Sequence, residues 1–308
     1  MRAGDFEIEV PETQLRSPHC IAMLRPWVNV GNVGHTVLGR LARIYNGNRI
    51  GQIERPSRFY DFTRYRPEIK FLNEQRTVRV PNTLVVAARA DTSLPHDFVF
   101  LHMLEPHSMA EDFNDSVIEL LRLLGVSRYV LVGGMYDSVP HSRPLSVTGS
   151  ARGWDPPQQF GGVRLGRSNY QGPTSLTSQL TDRARNEIGI ETLSLIVHLP
   201  LYLKLEDDYN GAHRVLQVLS DLYGFSPEVP EKAMAEQQYR QVNPAMLNNP
   251  QLQELVKKFE EEYDRQAETE TESENVQLSP EIEQFLEDVS RRQQGGEGSE
   301  EGPSSGGV

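Results

Sequence analysis

The stretch Cys20-Ile21-Ala22-Met23-Leu24-Arg25-Pro26-Trp27-Val28-Asn29-Val30-Gly31-Asn32-Val33-Gly34-His35-Thr36-Val37-Leu38-Gly39-Arg40-Leu41-Ala42-Arg43-Ile44 decides how the chain is read. A short apolar run, Ile21 to Leu24, passes through the turn WVNVGNVG into Val33, Val37, Leu38, Leu41 and Ile44, which are spaced for one face of a helix. Strand, glycine-rich turn and helix form the elementary unit of a sheet covered by helices. The same alternation continues downstream. Thr83 to Ala88 and Phe98 to Met103 read as strands. Ser108 and Glu111 then read as a capping box opening a helix, with Met109, Phe113, Val117, Leu120, Leu121 and Leu124 on one face and a stop at Gly125.

Tyr129 to Val132 reads as a buried strand running into GGMYDSVPHSRP, a loop too rich in Gly, Pro and Asp to continue it. Leu176, Leu180, Ala184 and Ile188 mark a helix ending at Gly189, and Leu193 to Val197 marks a strand. Ala212, Val215, Leu216, Leu219 and Leu222 mark a helix ending at Gly224, where the alternation stops. Residues 49–82 look extended and hairpin-like, so the sheet is expected to be mixed. The expected organisation is an α/β body over residues 1–225, an acidic helical tail over 226–292 and a disordered, low-complexity end over 293–308. Within the tail, Asn249 with Pro250 and Ser279 with Pro280 each open a helix.

The chain has 308 residues, 37% of them hydrophobic, which suffices for a real core. Its net charge of −12 belongs to residues 226–308, where 19 acids face 7 bases; residues 1–225 are neutral, and Lys70 and Lys204 are their only lysines. A neutral, arginine-rich body suits protein interfaces and argues against nucleic acid as a partner. No apolar run is long enough to span a membrane, and the N-terminus lacks the pattern of a signal peptide, so a cytoplasmic protein is expected. The single cysteine, Cys20, supports neither a disulfide framework nor a zinc pair, and no catalytic-cysteine signature surrounds it.

Three further segments carry chemistry. Asp137 to Arg143 brings an acid, the imidazole of His141 and a guanidinium together at the expected carboxyl end of a strand, where α/β sheets place ligand sites. The same residues also suit pairing that stiffens a proline-containing loop. His198 reads as a turn histidine or as a catalytic one. Tyr170, Gly172, Pro173 and Thr174 precede a helix whose free N–H groups suit an anion, or ordinary capping by Thr174. The phosphate-loop, nucleophile-elbow, HExxH and dinucleotide fingerprints are all missing, so no cofactor and no metal is implied.

Read together, Trp27-Val28-Asn29-Val30-Gly31, the run Gly134 to Pro144 with Thr148-Gly149, Tyr170-Gln171-Gly172-Pro173-Thr174 and His198-Leu199-Pro200-Leu201-Tyr202 resemble the proteasome assembly chaperone family, in its bacterial and archaeal branch of second-subunit type. The resemblance covers the first 225 residues in order. It implies a three-layer α/β/α sandwich with a mixed sheet, similar to the phosphorylase/hydrolase-like fold, homo-oligomers and a scaffolding role toward proteasome subunits. Two positions depart from the family's pattern. Asn29 stands where the turn usually carries an acid, which keeps the turn chemistry but removes a charge. The chain ends in Ser-Ser-Gly-Gly-Val rather than the hydrophobic-Tyr-any tripeptide with which some archaeal members dock.

The expected function is therefore a non-catalytic oligomeric scaffold or assembly chaperone. Its rivals are an enzyme of phosphorylase-like fold, an ATP-dependent carboxylate-amine ligase, and a small-ligand sensor. The expected cleft is lined by Asn29, Gly31, Asp137, His141, Arg143, Tyr170, Gly172, Thr174 and His198, gathered at one sheet edge.

Overall fold

A computed structural model describes residues 1–9, 14–72, 74–91, 94–157, 160–166, 175–226, 229–247 and 249–269. In chain order the elements are β1 (Arg2–Ala3), β2 (Phe6–Ile8), β3 (His19–Arg25), α1 (Val33–Ile44), β4 (Asn48–Ile53), β5 (Glu68–Leu72), β6 (Gln75–Arg79), β7 (Leu84–Ala88) and β8 (Phe98–Leu104). They continue with α2 (Ala110–Leu123), β9 (Arg128–Asp137), β10 (Val147–Arg152), β11 (Arg164–Leu165), α3 (Leu176–Arg183), β12 (Glu191–Pro200), α4 (Tyr209–Tyr223), α5 (Pro230–Leu247) and α6 (Pro250–Thr269). One compact unit spans Met1–Glu261, and a second begins at Glu262.

The main sheet runs β1-β2-β4-β7-β8-β3-β9-β12-β10-β11, with β5 and β6 forming a separate hairpin. Its centre, β8, β3, β9 and β12, is parallel, and its flanks are largely antiparallel, so the sheet is mixed. Strand alternation sends successive side chains of β3 to opposite faces. Ile21 and Met23 pack with Val37, Leu38 and Leu41 of α1 and with Val215, Leu216 and Leu219 of α4. Cys20, Ala22 and Leu24 pack with Phe113, Val117 and Leu120 of α2 and with Leu180 of α3. Helices thus cover both faces, giving the three-layer α/β arrangement. Burial raises the Cys20 thiol far above its ordinary value, so it packs as a small apolar group.

Several local expectations are corrected. β9 does not stop at Val132 but runs on to Asp137 through Gly133 and Gly134. The glycines are there because another segment crosses: a Cβ on Gly133 would lie 2.2 Å from the Val28 carbonyl oxygen. β12 pairs with β9 along its whole length, which keeps the strand extended. The capping box at Ser108 does not form. Met109 takes the cap position with φ of 55°, and Ser108 instead donates to the Arg58 carbonyl at 2.8 Å. Asn249 does cap α6, accepting from the Leu252 N–H at 3.2 Å. The helix expected from Ser279 and the end expected to be disordered, 293–308, lie outside the described residues.

The helix α5 has no counterpart in the sequence reading. It begins at Pro230, beyond the expected boundary at residue 225, yet seats Glu231 against Arg40 of α1, Gln238 against Asp207 and Tyr239 against Asp208.

Candidate functional site

The turn after β3 is built around Asn29, which bridges to Gly134 of β9 and is buried. Its side-chain oxygen accepts the His35 N–H at 3.2 Å, satisfying one open donor of the first turn of α1, while its amide donates to the Asn32 side chain at 3.1 Å. This explains an amide rather than an acid at this position: a carboxylate would accept the N–H but has no donor for Asn32. Asn32 in turn donates to Asp207 at 2.9 Å.

Gly31 has φ of 60°, and a Cβ there would meet the Asp208 Cβ at 2.7 Å and Leu199 Cδ1 at 3.0 Å. The close approach lets the Gly31 carbonyl accept the Asp208 N–H at 2.8 Å. Asp208 caps α4 by accepting from Gly211 at 2.9 Å and also receives the Tyr239 hydroxyl at 3.3 Å. Burial is the larger influence on its carboxyl and raises its pKa, with the Gly211 N–H opposing.

At the neighbouring carboxyl end of β9, Asp137 accepts its next residue's N–H at 2.6 Å and holds His198 Nδ1 at 2.7 Å. His198 Nε2 faces the Thr148 hydroxyl at 2.8 Å. The relay Asp137–His198–Thr148 therefore crosses three adjacent strands, β9, β12 and β10. His141 has its Nδ1 2.6 Å from the Tyr202 hydroxyl, which also accepts the His141 N–H at 2.8 Å. Burial first of all pushes Tyr202 up to about 12. Arg143 lies 3.6 Å from Glu260 of α6, Ser142 donates to the same carboxylate, and the Tyr202 ring stacks against Phe259. The His141 ring also meets Tyr239 of α5 at 6.1 Å between centroids.

Asn29, Gly31, Asp137, His141, Arg143 and His198 thus lie in the strand ends and turns at the carboxyl ends of β3, β9 and β12, Asp137 paired with His198 while His141 and Arg143 turn to Tyr202 and Glu260. Tyr170, Gly172 and Thr174 lie outside the described residues. The sequence reading missed Thr148 as the relay's third member, Asp208 and the covering residues Tyr239, Phe259 and Glu260. An acid just ahead of the apolar periodicity from Ala212 was an available capping signal for Asp208. Thr148 stood in the quoted segments without any sign that it meets His198, and nothing local announced that Tyr239, Phe259 and Glu260 cover the site. Among the described residues no group of three or more His, Cys, Asp or Glu side chains is arranged to hold a metal.

The PAC2 family model matches residues 23–243. A protein of unknown function from Corynebacterium glutamicum superposes with a TM-score of 0.73 at 21% identity, covering 85% of this chain and 98% of that one. A PAC2 family protein from Streptomyces avermitilis gives 0.67 at 24% identity, with 78% and 99% covered. A proteasome-assembly chaperone homologue from Mycobacterium tuberculosis gives 0.66 at 23% identity, with 77% and 99% covered. No curated protein sequence matches the chain.

Proposed function

The chain belongs to the PAC2 family, and from that premise we propose that it is a non-catalytic scaffold that self-associates through its α/β body and binds other proteins, with proteasome subunits as the partner class. The observation that carries this reading is the β5–β6 hairpin. It stands as its own two-stranded sheet, and the register Ile69↔Val78 and Phe71↔Arg76 puts three apolar side chains on one face. Ile69 is 55% exposed, Phe71 72% and Val78 57%. Clustered apolar exposure rimmed by polar and basic groups is the mark of a protein contact, and a lone hairpin gains its stability from whatever it packs against. The likeness to a proteasome-assembly chaperone homologue supports the choice of partner class. The internal pairing of the polar groups at the sheet edge supports a structural role for them.

The test is native co-purification with mass spectrometry, comparing the unaltered chain with Phe71→Glu. Proteasome subunits recovered with the first and lost with the second, at unchanged thermal midpoint, support the reading; an eluate without proteasome subunits counts against it. Light scattering addresses self-association, which a mass near 34.9 kDa would oppose.

A second reading, an enzyme, is favoured by one observation, the acid–imidazole–hydroxyl order of Asp137, His198 and Thr148. In that reading Asp137 fixes the imidazole tautomer and His198 takes the Thr148 proton. Covalent labelling of Thr148 by a fluorophosphonate probe, abolished by His198→Gln, would favour it over the scaffold; an unlabelled Thr148 leaves the relay as a brace across three strands.

A further inference from the structure

The last residue of β3, Arg25, sits at the same sheet edge as the site above but belongs to a different cluster. In the parallel pairing of β3 with β8, Met23 lies opposite His102 and Arg25 opposite Leu104. Met23 and Phe100 belong to the core beneath α1, so strand alternation turns Arg25 and His102 to that same face. There α1 brings His35 edge-on to His102, with ring centroids 5.7 Å apart. The Arg25 side chain is half-buried, and its Nε is wholly buried with no acceptor. Arg79, at the end of β6, is close enough to act on both Arg25 and His35. Among the described residues neither guanidinium takes part in a hydrogen bond or ion pair.

The acids nearby do not supply the missing charge. Glu105 gives its N–H to the Arg25 carbonyl at 2.7 Å, but its own carboxyl is raised by burial alone, with no cation acting on it. Asp207, which does act on His35, is bonded to the Asn32 amide at 2.9 Å. Burial first of all lowers Arg25, His35 and His102, the last to about 4, and Arg25 beside them acts the same way on both imidazoles, so these are neutral near pH 7 and free to donate or accept. Holding the half-buried Arg25 guanidinium near a second cation without a counter-charge costs stability unless an anion joins them.

We propose that this edge binds a small oxyanion of the phosphate class, held by Arg25 and Arg79 beside His35 and His102. A guanidinium presents its N–H groups as a planar fork that matches two phosphate oxygens, and two such forks satisfy a tetrahedral anion better than a flat carboxylate. The location is the carboxyl edge of the parallel strands β3 and β8, where open α/β sheets take their ligands.

The experiment is calorimetric titration of the full chain with inorganic phosphate at fixed ionic strength, against Arg25→Met and Arg79→Met. Saturable binding that weakens at least about tenfold in each variant supports the site. Arg79 is exposed, so its variant keeps the fold if Arg25→Met does not, and His35→Asn serves as a third, with a smaller loss expected. Glycerol 3-phosphate forms a second arm: equal affinity identifies the free oxyanion as sufficient, and tighter binding identifies a phosphomonoester as the preferred ligand. No saturable binding of either probe up to about 10 mM, or binding untouched by Arg25→Met and Arg79→Met, overturns the proposal.

Discussion

Replacing Arg40 by alanine tests whether α5 belongs to the cooperative unit. Arg40 Nε lies 3.0 Å from both oxygens of Glu231, and a terminal guanidinium nitrogen lies 2.9 Å from one of them. The Glu231 side chain is 4% exposed and that of Arg40 is 18% exposed. Removing the arginine leaves a carboxylate that cannot reach water, and breaking such a buried pair costs about 3–5 kcal/mol. Glu231 keeps its favourable place in the first turn of α5, which offsets about 0.5 kcal/mol, and the partial exposure of Arg40 points to the lower end of the range. The expected loss is therefore about 2–3 kcal/mol, a fall in thermal midpoint of about 5–10 °C for a domain of this size. Glu231→Gln should cost less, because the guanidinium left behind already touches solvent. Urea unfolding of the full chain, followed by circular dichroism, measures both, and the double variant gives the coupling. A loss under about 1 kcal/mol for Arg40→Ala would refute the reasoning and make α5 an appendage of a body ending near residue 225.

Truncation after Phe225 should leave a cooperative melt, since the apolar periodicity ends at Gly224, but with a lowered midpoint because Arg40 and Asp208 lose Glu231 and Tyr239. Gly31→Ala should destabilise more than Gly125→Ala: both have positive φ, costing about 1–2 kcal/mol, but a Cβ meets Asp208 only at position 31, and equal losses in denaturant titration would contradict the close approach. Thr148→Val should cost about 1 kcal/mol by leaving His198 Nε2 without its partner, and an unchanged stability would show that the relay contributes nothing. Burial, aided by the neighbouring His96 and Arg128, pushes His19 down to about 3, so below about pH 6.5 the unfolded chain takes up a proton that the folded one refuses. Stability is then full above about pH 6.5 and falls by about 1.4 kcal/mol per pH unit on acidification toward the folded value; a His19→Gln variant should lack this component, and parallel pH profiles would disprove it.

Most of the fold is legible in the sequence because its inner strands and helices are long and periodic. β3, β7, β8 and β12 and the helices α1, α2 and α4 bury apolar residues on the faces their spacing marks. What escaped was set by contacts distant in sequence. β1 is a two-residue edge strand paired with β2, β2 exists through pairing with β4, and β10 exists through pairing with β12. The capping box at Ser108 lost to a carbonyl from Arg58, 50 residues earlier in the chain. α5 reads as polar because what anchors it is polar: a buried glutamate, a glutamine and a tyrosine hydroxyl replace the apolar stripe that periodicity seeks.

The candidate site divides along the same line. Asn29 and Gly31 were identifiable because a glycine turn between strand and helix has few chemical solutions, and residue type nearly determines role. Asp137 and His198 were identifiable as polar residues near strand ends, but their pairing was not, since either could have held its own turn. The sheet order decides: β12 lies between β9 and β10, so an imidazole on β12 meets an acid from one neighbour and a hydroxyl from the other. The same order explains why Arg143 and Asp137, close in sequence, end with different partners. Once β9 runs on to Asp137, the acid is committed to the sheet, and the residues after it turn away toward Tyr202 and Glu260. An acid tied to a strand and an arginine tied to a helix 117 residues later brace the edge from two sides, so Glu260→Gln should loosen the loop without disturbing the relay.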